Sequence, residues 1–183
     1  DSAFEGCGSL TSIIIPDSVT SIGGKAFNSC TKLGKVNWNA KNVADFSKSS
    51  DVFYNSGTTC GGVNFVFGDT VESIPANLFC VSNTKSVTIG DSVKSIASST
   101  FKDFTELTSI TIGDGVTSIG SYAFEGCTKL SSITIGDSVT SIGKEAFYDC
   151  RSLRSITIPD SVTSIGESAF EKCCYLSKVF WNA

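Results

Sequence analysis

Eight phenylalanines (Phe4, Phe27, Phe53, Phe79, Phe101, Phe124, Phe147 and Phe170) fall at intervals of 23, 26, 26, 22, 23, 23 and 23 residues. Self-similarity at a period of about 20–30 residues is the mark of a solenoid, because a unit that short cannot bury an apolar face alone. The period carries a phrase with it: SVTSIGGKAF (18–27), GVTSIGSYAF (115–124), SVTSIGKEAF (138–147) and SVTSIGESAF (161–170) are near copies. In the unit that starts at Phe124, the recurring positions are Cys127, Leu130, Ile133, Ile135, Val139, Ile142 and Ala146.

Each unit has three parts. SSITI (131–135) alternates polar and β-branched apolar residues, the pattern of a strand with Ile133 and Ile135 facing inward. GDS or PDS then turns the chain, with the aspartate oxygen taking nearby backbone amides of its own turn. VTSIG reads as a second, shorter strand ended by glycine, and KEAFYDC as one to two helical turns leading back to the start. The fold class expected is therefore an α/β repeat solenoid of stacked units of 23 residues, each with a main strand, a short strand and a short helical turn. The chain reads as one domain over 1–183, of about eight units, partial at both ends.

Two units of 26 residues, 27–52 and 53–78, depart from the pattern. Trp38 and Phe46 replace isoleucines in the first, and Phe65 and Phe67 fill the strand of the second, so a local change of curvature is expected there. LSKVFWNA (176–183) restarts the phrase LGKVNWNA (33–40), which makes the odd unit part of a longer-period array. The chain opens on Asp1 in mid-motif and is read as a processed protein or a piece of a longer array.

Composition removes several function classes. No histidine is present, which excludes imidazole-based nucleophilic sites and histidine zinc sites. A net charge of -4 with 14 Lys+Arg and no basic run supplies no footprint for nucleic acid. There is no run of 18 apolar residues, hence no membrane span, and no signal peptide at the start. The 18 Asp+Glu leave carboxylate catalysis open in form, but no pair is singled out, and the chain is read as no enzyme.

The phrase AFxxCxxLxSITIPDSVTSIGxxAF closely resembles the BspA-like (Treponema pallidum-type) leucine-rich repeat, over essentially the whole of 1–183. The resemblance implies a right-handed leucine-rich repeat solenoid. It implies a place on surface or secreted proteins of anaerobic and host-associated bacteria and of some protists, and a role in adhesion, matrix binding or co-aggregation. It carries no catalytic residues and no fixed ligand motif onto this chain. A cell-surface or secreted location, with a protein or a host or bacterial surface component as partner and no cofactor, is what it leads one to expect.

Candidate sites follow from the pattern. Cys7, Cys30, Cys127, Cys150 and Cys173 share one repeat position. Phe104 holds the same position in the unit from Phe101, which favours a buried apolar slot filled by free thiols. Disulfides between adjacent units and a metal site stay open on spacing alone. Cys60, Cys80 and Cys174 lie outside that column, with Cys174 the one expected at the surface. A column of turn aspartates (Asp17, Asp69, Asp91, Asp114, Asp137, Asp160) reads as turn chemistry rather than a calcium site. Strand residues pointing outward should pave one face: Ser/Thr in the regular units, including Thr88, Thr111, Thr134 and Thr157, with Phe180 near the end. The richest partner-binding candidates are in the odd units, at Lys35, Asn37, Tyr54, Asn64 and Val66. Uncovered repeat ends make end-to-end self-assembly into a filament or layer the alternative reading.

Overall fold

The computed structural model describes residues 1–41, 43–47, 49–75, 77–78 and 83–181; Phe79 and Cys80 of the sequence pattern lie outside them. The apolar alternation becomes strands as expected. In chain order these are β1 (Ser12–Ile15), β2 (Lys35–Trp38), β3 (Val63–Phe67), β4 (Thr84–Ile89), β5 (Ser95–Ile96) and β6 (Ser109–Ile112). They continue as β7 (Ser118–Ile119), β8 (Ser132–Thr134), β9 (Ser141–Ile142), β10 (Ser155–Ile158), β11 (Ser164–Ile165) and β12 (Lys178–Trp181). All pair in parallel. The main strands form a six-stranded sheet β1-β2-β3-β4-β6-β8 and a two-stranded sheet β10-β12. The short strands form a third sheet, β11-β9-β7-β5. Second strands therefore exist in four units, and the odd units lack them among the described residues.

Register is held by the core. Ile110, Ile112, Val116, Ile119, Phe124, Leu130 and Val139 are almost fully buried, each stacked on its counterpart one unit away. Phenylalanine rings line up along the stack axis: Phe101 on Phe124 at 5.2 Å, Phe124 on Phe147 at 5.1 Å and Phe147 on Phe170 at 5.2 Å, all nearly parallel. The column runs on through the odd units, with Phe4 on Phe27 at 5.3 Å and Phe27 on Phe53 at 5.2 Å, and strand aromatics pack against it. Phe53 meets Phe65 edge to face at 5.1 Å, and Trp38 packs against Phe46 and Phe67. The pairing of β3 with β4 shifts register between Val63 and Asn64.

The helical turn is not there: among the described residues no helix occurs, and the returning segment is a chain of hydrogen-bonded turns. An α-helix needs each amide for its own i−4 carbonyl. Here alternate amides leave the unit. Lys25, Phe27 and Ser29 donate to Ser50, Val52 and Tyr54 of the next unit at 2.7, 2.9 and 2.8 Å. Ala26, Asn28 and Cys30 close three-residue turns at 3.3, 3.0 and 3.3 Å. The pattern recurs at Glu145, Phe147 and Asp149, which donate to Glu167, Ala169 and Glu171. Sharing amides between units costs backbone strain. All thirteen described non-glycine residues with positive φ lie two positions before or after a column phenylalanine, as do Gly6 and Gly126.

Candidate interaction surface

The outward side chains of the main strands build one face, arranged by the parallel register in two columns. One runs Ser12, Lys35, Asn64, Ser86, Ser109, Ser132 and the other Ile14, Asn37, Val66, Thr88, Thr111, Thr134. Beyond the sheet break they continue as Ser155–Lys178 and Thr157–Phe180. Strand spacing and pleat place neighbours in a column about 5 Å apart and the two columns about 7 Å apart. Of the residues singled out in the sequence, the structure brings Lys35, Asn37, Asn64, Val66, Thr88, Thr111, Thr134, Thr157 and Phe180 onto this face. Tyr54 is not among them. It follows Phe53 in the returning turns, where its carbonyl takes the Ser29 amide and its ring is 38% exposed.

What the hydroxyls do separates this face from the rest of the surface. Thr108, Thr117, Thr140 and Thr163 each donate to a main-chain carbonyl one unit back, at 3.0–3.2 Å. Thr88, Thr111, Thr134 and Thr157 have no such partner among the described residues and are exposed. Their donors and acceptors face solvent at the lattice spacing of the sheet. Asn64 is already engaged, donating to Gly34 O at 3.0 Å and accepting from Ser86 Oγ at 2.6 Å. Exposed apolar side chains sit at the two ends, Ile14 at 62% and Phe180 at 52%.

The cysteine column is inside, and its chemistry differs from that of a plain apolar slot. Cys30, Cys127, Cys150 and Cys173 are buried free thiols, whereas Cys7, Cys60 and Cys174 are exposed free thiols. Each buried sulfur donates to the carbonyl of a phenylalanine in the preceding unit: Cys30 to Phe4, Cys127 to Phe101, Cys150 to Phe124 and Cys173 to Phe147, at 3.1–3.2 Å. Ser56 occupies the same position and donates to Phe27 O at 2.7 Å. The slot thus selects a small buried donor, and Phe104 fills it only by stacking edge-on against Phe101. Burial pushes the Cys127 thiol up to about 12, so it is protonated and unreactive at neutral pH. The neighbouring Cys173 thiol, and then burial, push the Cys150 thiol up as well.

The aspartate column also differs from expectation. Asp69, Asp91 and Asp114 do not cap their own turns; each Oδ1 accepts the amide of the aspartate one unit on, at 3.4, 2.9 and 3.1 Å. Among the described residues no group of three or more Cys, Asp or Glu side chains is placed to hold a metal ion, and no helix is long and apolar enough to cross a membrane. On the turn surface, pairs cross from unit to unit. Lys129 meets Glu106 at 2.6 Å, and Lys102 meets Glu125 at 2.7 Å while lying over the Tyr122 ring. Lys172 contacts Tyr148 through its hydroxyl and ring face. Sequence reading missed these pairs, although their spacing of one repeat is the signal that would have found them.

Comparison with known proteins places this geometry. The pattern of the BspA type leucine-rich repeat region matches in six copies, over residues 1–101 and 72–182. A leucine-rich repeat protein from Bacteroides ovatus aligns with 98% of the chain at 25% identity and a TM-score of 0.62. A leucine-rich cell surface protein from Faecalibacterium prausnitzii aligns with 99% of it at 21% identity and a TM-score of 0.50. The pneumococcal vaccine antigen PcpA aligns with 94% at 18% identity and a TM-score of 0.50. The chain spans 57%, 62% and 51% of those three structures respectively. No curated protein matches it significantly.

Proposed function

The chain belongs to the BspA type leucine-rich repeat family, and on that premise we propose that it is a non-catalytic repeat domain, displayed on a cell surface or secreted, that binds a protein or a surface component through its main sheet face. The observation that carries this reading is the double column of outward side chains whose threonine hydroxyls are left unspent by the fold, flanked by Lys35 and Asn37 at one end and Phe180 at the other. Extended sheet faces of solenoids are where such proteins engage partners. Two proteins of similar fold, one described as a cell surface protein and one as a vaccine antigen, support the location. Serine and threonine contacts carry little anchor energy, because hot spots favour Trp, Tyr and Arg, so selectivity is expected where the plain lattice changes, at Lys35, Asn37 and Val66, with the threonines supplying complementarity.

The test is retention of the isolated chain on an array of matrix proteins, glycans and whole cells. The expected result is a binder whose capture is lost in a Thr111→Lys, Thr134→Lys double variant that melts like the parent. Absence of any binder across the array, or a binder indifferent to the double variant, removes this reading. Labelling of intact source cells by an antibody to the chain tests the location.

A further inference from the structure

No basic run exists in the sequence, yet stacking the units assembles one. Lys32, Lys35, Lys85, Arg154 and Lys178, with Lys129 and Arg151, are half of the chain's 14 Lys+Arg. Each lies in the four residues leading into a main strand or in that strand's first two residues, so all seven come to one edge of the main face, and all are exposed. Lys129 is paired with Glu106 at 2.6 Å and Arg151 with Asp149 at 2.7 Å. The other five have no ion pair among the described residues, and Glu106 is the one acid along this edge. The opposite edge, where the main strands end, carries the exposed column of turn aspartates. Each aspartate follows its strand's first outward residue by five positions, as Asp114 follows Ser109, or about 16 Å of extended chain.

Lys85 reaches the basic edge through an irregularity of the sheet. Val63 pairs with Thr84 and Asn64 with Ser86, which leaves Lys85 as the extra residue of a β-bulge. A Cβ on Gly62 would lie 3.0 Å from the Lys85 Cβ, so glycine at that position makes room for the lysine stem. Two clusters result: Lys32, Lys35 and Lys85 at β2 and β4, and Arg154 and Lys178 at β10 and β12. Those outer strands, β2 and β12, are six steps apart in the stack, about 29 Å. Between the clusters the edge presents Ser109, Ser132 and Ser155, whose hydroxyls have no side-chain partner among the described residues.

We infer that this edge binds a linear acidic polysaccharide, laid along the stack axis across both cation clusters. A narrow chain there lies about two Debye lengths from the aspartates at physiological ionic strength, so it meets the cations and little of the opposing repulsion. A duplex or an anionic membrane set flat on the face covers both edges and meets the aspartates as well. A single nucleic-acid strand needs rings to stack on, and the described edge has exposed rings only at one end, at Tyr175 and Phe180. Sugar hydroxyls find partners in the serine column between the clusters. The threonine column takes no part, so the inference stands whether or not that column binds a partner.

Heparin is the probe, titrated into the whole chain at several salt concentrations, with poly-glutamate and single-stranded DNA of equal charge as comparators. The net charge of -4 opposes non-specific capture. Heparin should bind most tightly, and a heparin disaccharide, too short to join the clusters, about a hundredfold more weakly. The pair Lys35→Ala, Lys85→Ala and the pair Arg154→Ala, Lys178→Ala should each weaken heparin about tenfold and lower the salt slope by about two. Lys41→Ala, Lys94→Ala removes equal charge away from this edge and should change affinity by less than about twofold. Thr111→Lys, Thr134→Lys should keep heparin affinity or raise it, which separates this edge from the threonine face. No heparin binding at low salt overturns the inference. So does an equal loss in the Lys41, Lys94 control, or poly-glutamate or DNA bound as tightly as heparin.

Discussion

Ser98 and Ser99 are adjacent, exposed, and lie in the same returning turn, yet the fold asks opposite things of them. Ser99 has φ of 59°, in the left-handed region, and its amide donates to Ser121 O at 3.0 Å in the next unit. Ser98 has no such constraint. A non-glycine residue in the left-handed region costs about 1–2 kcal/mol, while glycine anywhere costs about 0.5–1 kcal/mol in unfolded-state entropy. Ser99→Gly should therefore stabilise the chain by about 0.5 kcal/mol, the difference of those two terms. Ser98→Gly incurs only the entropic term and should destabilise by about 0.5–1 kcal/mol. The two variants differ by about 1–1.5 kcal/mol, or about 2–6 °C in melting temperature for a chain of this size. Ser168, with φ of 55°, offers an independent second site, and sites this far apart should add. Urea unfolding followed by circular dichroism, with unchanged slope, is the measurement. If both glycines destabilise equally, as a true helical turn would demand, the left-handed column and the account of amide sharing are wrong.

Three further outcomes follow from the packing. Phe124→Ala removes a fully buried ring stacked on both sides and should cost about 4–6 kcal/mol, whereas Phe4→Ala, half-exposed and stacked only on Phe27, should cost well under half of that; equal losses in denaturant unfolding would contradict a core carried by the ring column. Cys150→Ser keeps a second donor for Phe124 O, as Ser56 does for Phe27 O, and Cys150→Ala leaves that carbonyl with the Cys127 amide alone, a loss of about 0.5–1.5 kcal/mol, so the serine variant should be the more stable of the two by thermal melting. Because the folded chain holds the Cys127 proton up to about 12, while the unfolded thiol releases it near 9.0, the unfolded state binds fewer protons above that point and stability falls as pH rises from 9 toward 12; Cys127→Ser should flatten that part of the pH–stability curve, and an unchanged slope would refute the buried-thiol account.

The same repetition that makes the fold legible hides what is not local. Ile110, Val116, Ile119 and Phe124 announce the core because each has a counterpart one period away, and parallel register follows from matching like with like. The returning segment misleads because KEAFYDC reads as helix by composition, and only the neighbour's carbonyls reveal where its amides go. A faint signal was present: Gly6, Gly126, Asn55 and Asn77 sit at the positions where Lys172, Tyr122 and Glu145 bear the strain. The serine at position 56 likewise marked the cysteine slot as a donor site. Each of these is an exception to the refrain, and each exception reports a constraint imposed by a neighbouring unit. Function obeys the same logic. Inward positions are fixed by stacking and hidden from solvent, so they cannot distinguish one partner from another. Outward strand positions answer to no neighbour's core; Asn64 is held by Gly34 O and Ser86 Oγ, but at Lys35, Asn37 and Val66, where the serine and threonine lattice also stops, the fold gives no reason for the change.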